Sequence, residues 1–301
     1  VPLGASRAVS FCLIKAPPNN TRPRIAILRG FSLPIEHLFI PDTQVKPGVP
    51  LDHLEWIGKY IVEKKPDVVI HAGDHADMPS LSSYDRGKKA MEGRRYRADV
   101  IAAKKGWDAL NGPIEKYNKK RRKNKEKQYK PRKVITLGNH EHRIVRATEE
   151  DAKLDGTISL DDLQLYRYGW EVVPFLELIE IDGIHYSHYF ANPMTGKPYG
   201  GLINTRLKTI GFSFTQGHVQ TKDTGEIYRA NGDVIRGCVA GACYLHDEDY
   251  KGPQGNNHWR GIIYKHEVSN GNYDLMEVSL DFLCRRYEGV PLSEYEPRII
   301  A

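Results

Sequence analysis

Four short stretches place carboxylates, amides and imidazoles where the chain leaves an apolar run. They are IPDTQ (residues 40–44), AGDHAD (72–77), LGNHEH (137–142) and QGHVQ (216–220). Side chains of these types, converging from separate segments, suit a pair of divalent cations. Two cations about 3.5–4 Å apart activate a water and neutralise the oxygens of a phosphate ester, whose negative charge otherwise repels a nucleophile. Such a pair needs one shared carboxylate and separate nitrogen and oxygen ligands for each ion. Asp74 is the natural shared ligand: Gly73 ends the run Val68-Val69-Ile70 in a tight turn that aims a short side chain into the crevice beyond the sheet edge. Asp42 follows Leu38-Phe39-Ile40 in the same way, and Asn139 and His140 follow Val134-Ile135-Thr136-Leu137.

The elements that must position these residues are legible from periodicity. Leu54, Ile57 and Ile61 form an apolar stripe on a helix from 51 to about 64, so the chain opens β-α-β with a parallel strand pair. Residues 175–180 and 184–188 flank Asp182-Gly183 as a hairpin, and 261–268 and 273–280 do so around Asn270-Gly271-Asn272. The expected order is strand, helix, strand, helical segment, strand, helix, then a strand-rich second half. With 301 residues, 40% of them apolar, the chain is long enough for one large α/β unit over 37–301, preceded by an extension over 1–36. No run of 18 apolar residues occurs, and the first 36 residues lack the pattern of a secretory signal. Cys12, Cys238, Cys243 and Cys284 form no C-x-x-C pair, which fits a reduced, cytoplasmic setting.

Taken in order, Asp42, Gly73-Asp74-Asp77, Gly138-Asn139-His140-Glu141, His188 and Gly217-His218 match the pattern D-x-(H), G-D-x-x-D, G-N-H-(D/E), H, G-H-x-(H). Over roughly residues 37–245 the chain resembles the calcineurin-like metallophosphoesterases, and within them the small phage and bacterial members and the Mre11-type nucleases. The resemblance implies a four-layer α-β-β-α sandwich of two mixed sheets and a centre for two divalent metal ions. One site would be Asp42, Gln44, Asp74 and Gln220; the other Asp74, Asn139, His188 and His218. The family usually carries His where this chain has Gln44 and Gln220, so the first site becomes all oxygen and weaker, favouring Mn or Mg over Zn. The second suits Mn, Fe or Zn; Mn is the first choice for the pair, with Ni also open. The resemblance puts His140 beside the phosphate, outside the metal ligands, where an imidazolium stabilises the leaving alkoxide. Asp77 and Glu141 would orient it.

Each assignment has an ordinary rival. Asp42, Asp74 and Asn139 are singly common strand-end turn residues, and Glu141 suits the first turn of a helix. His185 competes with His188, which is preferred because it follows the apolar run. His71 and His75 flank Asp74; the first reads as a core histidine, the second as a support or substrate contact.

Charge is uneven. Residues 86–133 carry 19 Lys or Arg against 5 acids, a net +14, whereas the whole chain is +6 and the remainder −8. This stretch reads as a basic helical and loop insertion between two metal motifs, so its ends are expected at the metal edge. Lys119, Lys120, Arg121, Arg122 and Lys123 are the candidate contacts to nucleic acid, since such side chains release counterions from phosphates; the plainer reading is a solvated face. The leading expectation is therefore an enzyme, a metal-dependent nuclease or phosphodiesterase. The alternatives are a phosphomonoesterase and a nucleic-acid-binding protein with a degenerate site.

Overall fold

The structure, a computed structural model, describes residues 35–248 and 251–299. The extension expected over 1–36, apart from its last two residues, lies outside the described residues, as does Cys12. Strand β1 (Ile35–Ile40) leads through helix α1 (Asp52–Lys64) to β2 (Val68–His71), and helix α2 (Tyr96–Lys123) leads on to β3 (Arg132–Thr136). After α3 (His142–Glu150) come β4 (Glu171–Val173), β5 (Ile179–Ile181), β6 (Ile184–Tyr186), α4 (Ile203–Ile210), β7 (Phe214–Gln216), β8 (Lys222–Tyr228) and β9 (Val234–Ala240). The described chain closes with α5 (Gly252–Asn256), β10 (Gly261–Ser269), β11 (Asn272–Ser279) and α6 (Leu280–Glu288).

One sheet runs β11-β10-β1-β2-β3-β4 and the other β5-β6-β7-β9-β8, and both mix parallel with antiparallel pairs. Strand alternation divides the core into layers. Leu38 and Ile40 of β1, Val69 of β2 and Ile135 of β3 face α1, α2 and α6. Their neighbours Phe39, Ile70 and Val134 turn inward to meet Ile184, Tyr186, Cys238 and Ala240 of the second sheet. Leu207 and Ile203 of α4 cover that sheet's outer face over Phe214 and Val239. The result is the α-β-β-α order expected, including the opening β-α-β and both hairpins, of which the first is shorter than its apolar pattern.

The basic segment departs from expectation. Val100, Ala103, Trp107, Leu110 and Ile114 recur every three or four residues and bury one face of α2 against α1, so α2 is the crossover helix of a β-α-β unit. Gly58 of α1 admits the close approach, since a Cβ there would strike the Leu110 carbonyl and the Pro113 ring. A crossover returns the chain to where the next parallel strand begins. Arg132 pairs beside Val68, while His71 pairs beside Ile135 at the other end. Tyr129 Oη donates to the Pro66 carbonyl at 2.6 Å, and Lys65 lies over the Tyr117 ring. The tip with Lys119, Lys120, Arg121, Arg122 and Lys123 thus sits at the sheet edge opposite the ends of β1, β2 and β3. Gly106 packs on His75 at the near end, and 1.5 Å per residue puts the tip about 20–25 Å further along the axis.

Candidate metal centre

Every expected ligand leaves the end of a strand. Asp42 and Gln44 follow β1, Asp74 follows β2, Asn139 and His140 follow β3, His188 follows β6, and His218 and Gln220 follow β7. Backbone pairing of Val45 with Ala76 and of Asp42 with Ala242 ties these loops together. Gln44, Asp74, His218 and Gln220 are all held at positive φ, between 45° and 66°. Non-glycine residues held in this region cost on the order of 1 kcal/mol or more each, and such strain concentrates at functional sites. Two glycines let the loops meet: a Cβ on Gly138 would strike the Asp74 carboxylate, and one on Gly217 the Asp42 carboxylate.

His188 is fully buried and its Nδ1 lies 2.8 Å from the Ala72 carbonyl oxygen. That hydrogen bond keeps a proton on Nδ1 and aims Nε2 inward; burial alone would lower the ring's pKa, but Asp74 and Asp42 raise it to about 9, and a bound cation would displace the Nε2 proton and take its lone pair. Nε2 is 2.9 Å from Asn139 Oδ1, 3.2 Å from His218 Nδ1 and 3.4 Å from Asp74 Oδ2. His218 Nδ1 is also 2.9 Å from Asn139 Oδ1, and ligand atoms of Asp74, His188 and His218 all lie within 4.8 Å of one another. Asp42 accepts the His218 N–H at 3.0 Å on Oδ1, but its Oδ2 is buried without a partner. Burial pushes the Asp42 carboxyl up to about 6, His188 opposes and Asp74 adds to the rise. For Asp74 burial alone would also raise the pKa, but His140 and His188 hold it far below the usual carboxylate range. A buried carboxylate oxygen with no hydrogen-bond partner, beside two imidazoles, an amide oxygen and a second carboxylate, fits a divalent cation of the Mn, Fe or Zn type.

Beside this cluster His140 donates its backbone N–H to Asp74 Oδ1 at 2.9 Å, and its ring Nδ1 lies 2.6 Å from Asp77 Oδ1. Its Nε2 is 3.2 Å from Arg143 Nη2, and the side chain as a whole is largely buried. Burial would lower the His140 pKa, but the Asp74 carboxylate and the Asp77 hydrogen bond outweigh it and raise it. Asp77 itself is held at about 2: burial is outweighed by His140, Lys46 and Arg143. Glu141 does not reach His140. It is buried, and its carboxylate accepts the backbone N–H groups of Asp74 (2.8 Å), Gly138 (2.9 Å) and Ala76 (2.9 Å). Its work is to clamp two ligand loops to each other.

The calcineurin-like phosphoesterase family profile matches residues 38–233, more than half of the chain. This chain belongs to the calcineurin-like phosphoesterase family. Metal-dependent hydrolysis of phosphoesters is its chemistry. No curated protein matches it. One solved structure is 14% identical with a TM-score of 0.38, over 82% of this chain and 100% of the other. A second, YfcE, a phosphoesterase from E. coli, is 10% identical with a TM-score of 0.36 over the same shares.

Within this phosphoesterase the rival histidines lie elsewhere. His185 packs on Phe212 on the other face of β6. His71 and His75 are both buried and both meet the Thr43 hydroxyl, at 3.3 and 2.9 Å, while His75 stacks on Trp107 at 3.5 Å between ring centroids. They brace the Asp42 and Asp74 loops from behind. Of the two glutamines, Gln44 borders the cluster, its Nε2 donating to Asp74 Oδ2 at 3.4 Å, while Gln220 Oε1 accepts from Tyr244 Oη at 3.0 Å and from Lys251 Nζ. Sequence reading missed Arg143, Lys46, Tyr244 and Lys251. Arg143 stands three residues from His140, one helical turn on, which is a usable signal. Lys46, bridging Asp77 at 3.5 Å and Glu248 at 2.7 Å, has none.

Proposed function

We propose that this phosphoesterase hydrolyses phosphodiester bonds of nucleic acid, with Asp42, Asp74, Asn139, His188 and His218 around a divalent cation, Mn first among the candidates. The observation that carries the site reading is the inward cluster of Asp74, His188 and His218 beside the partnerless Asp42 oxygen. When bound, the cation supplies Lewis acidity to a phosphoryl oxygen and acidifies a water. His140 fixes its ring through Nδ1–H on Asp77, and Nε2, 3.7 Å from Asp74 Oδ2, is the atom from which a proton would pass to a departing alkoxide, favoured by the acids that raise the ring's pKa. Arg143 adds a fixed charge next to that imidazole. Asp77 keeps the His140 ring in one orientation, and Lys46 with Glu248 keeps Asp77 in place.

The nucleic-acid part of the reading rests on the +14 segment and on the α2 tip, where Lys116, Lys119 and Arg122 line a shallow surface depression. That tip is too far from the cluster for a small substrate to touch both, whereas an extended polyanion can. Changing Lys119, Lys120, Arg121, Arg122 and Lys123 to Ser or Gln is expected to weaken binding of a long single strand and flatten its salt dependence, by up to about 0.7 in log–log slope per lost contact. Cleavage of a small chromogenic diester should stay unchanged. Equal binding and cleavage of the long strand by variant and wild type would return the tip to a solvated face. Arg143 favours a second reading, a phosphomonoesterase, because its charge suits a dianionic terminal phosphate; turnover of chromogenic mono- and diesters side by side decides between them.

A further inference from the structure

The position bordered by Gln44 and Gln220 is already furnished with protein donors. Gln220 Oε1, the oxygen that the resemblance would give to a second cation, accepts from the Lys251 ammonium and from Tyr244 Oη at 3.0 Å. Lys251 Nζ is also 3.3 Å from Tyr244 Oη, and Asp42 is among the acids whose field acts on that ammonium. Gln44 turns its amide nitrogen, a donor, toward Asp74 Oδ2 at 3.4 Å. A cation there would meet one N–H donor, one amide oxygen already doubly bonded and a neighbouring ammonium. The other position gathers Asn139 Oδ1, His188 Nε2 and His218 Nδ1, three atoms that can each present a lone pair to a cation. Lys251 is brought in by the segment that follows β9, whose Cys243 N–H donates to the Asp42 carbonyl at 2.8 Å, so its placement is coupled to the Asp42 loop.

We propose that the Lys251 ammonium takes the place of the second cation, so that this phosphoesterase holds one divalent ion tightly and meets the substrate phosphate with a lysine on the other side. The inference rests on the reading of the cluster as a metal centre. The two glutamines then make sense together: a neutral amide oxygen accepts from an ammonium, whereas the imidazoles usual in the family would, as ligands, draw in a cation and repel the lysine. Asp42 serves both sides, its unpartnered Oδ2 free for the single ion.

The test is manganese stoichiometry on the full chain, by titration with detection of free Mn by electron paramagnetic resonance and by elemental analysis after desalting. Wild type is expected to retain one equivalent. Lys251→Ala combined with Gln220→His should bind a second equivalent at least about tenfold more tightly than wild type does, the scale of relieving one like-charge contact. Lys251→Arg, which keeps the charge, should still retain one. Two equivalents of like affinity in wild type would overturn the inference and leave the metal centre standing, and this measurement needs no variant to fold. An unmoved second affinity in the folded double variant would overturn it as well. Retention of no manganese by wild type would instead remove the metal reading beneath it.

Discussion

Replacing Glu141 by Gln tests the clamp with the smallest change of shape. The carboxylate accepts three backbone N–H groups, two on Oε2 from Asp74 and Gly138 and one on Oε1 from Ala76. A glutamine oxygen can keep the pair from Asp74 and Gly138, but its NH2 then faces the Ala76 N–H, donor against donor. One buried N–H left without a partner costs about 1–3 kcal/mol, and the two surviving bonds lose the assistance of the negative charge. One term opposes this. Burial and the nearby Asp74 carboxylate both disfavour a charged Glu141 and raise its pKa, so a neutral side chain relieves some repulsion. The net expectation is a loss of about 2–3 kcal/mol in urea denaturation, or about 4–12 °C in Tm for a domain of this size. Because the clamp sets the distance between the Asp74 and Asn139 loops, kcat/KM on a chromogenic diester should fall by about 100-fold. Circular dichroism, urea titration and steady-state kinetics read these effects. A variant within about 0.5 kcal/mol of wild type and fully active would refute the clamp.

Two further outcomes follow from neighbouring geometry. His140→Ala should lower turnover by about 10²–10⁴-fold while leaving metal content unchanged, whereas Asp74→Ala should lose both; loss of metal from the His140 variant would place that ring among the ligands. Lys265 is buried between the sheets against Tyr186, Tyr273 and Thr215, and burial pushes its pKa down to about 7. Between that value and the ordinary lysine range the unfolded chain carries the proton and the folded chain does not, so stability rises with pH by up to about 1.4 kcal/mol per unit. Lys265→Met should therefore be more stable than wild type near pH 7, and that advantage should shrink steadily as the pH rises toward about 10 in urea titrations. A gap between the two proteins that does not change with pH would reject the buried neutral amine.

Much of the site was written locally. Gly73-Asp74 after an apolar run, Gly138-Asn139-His140 after another, and Gly217-His218 each carry their own turn, so the types of the candidate ligands, their order and their place at strand ends follow from the chain alone. The opening β-α-β and the Asp182-Gly183 and Asn270-Gly271 hairpins follow from periodicity and turn chemistry in the same way. The α2 face was present too, as Val100, Ala103, Trp107, Leu110 and Ile114, but the density of Lys and Arg around it disguised a core helix as an insertion. Only the tertiary structure decided that its basic tip sits at the far edge, because the direction of a crossover depends on which strands pair and in what register. The same holds for Glu141 reaching the Asp74 and Ala76 amides, for Lys46 joining Asp77 to Glu248, and for Lys251 meeting Gln220. Those partners lie between 31 and 202 residues apart. No local propensity acts across such separations; the contacts form because two sheets, packed through Phe39, Ile70 and Tyr186, bring their strand ends to one edge.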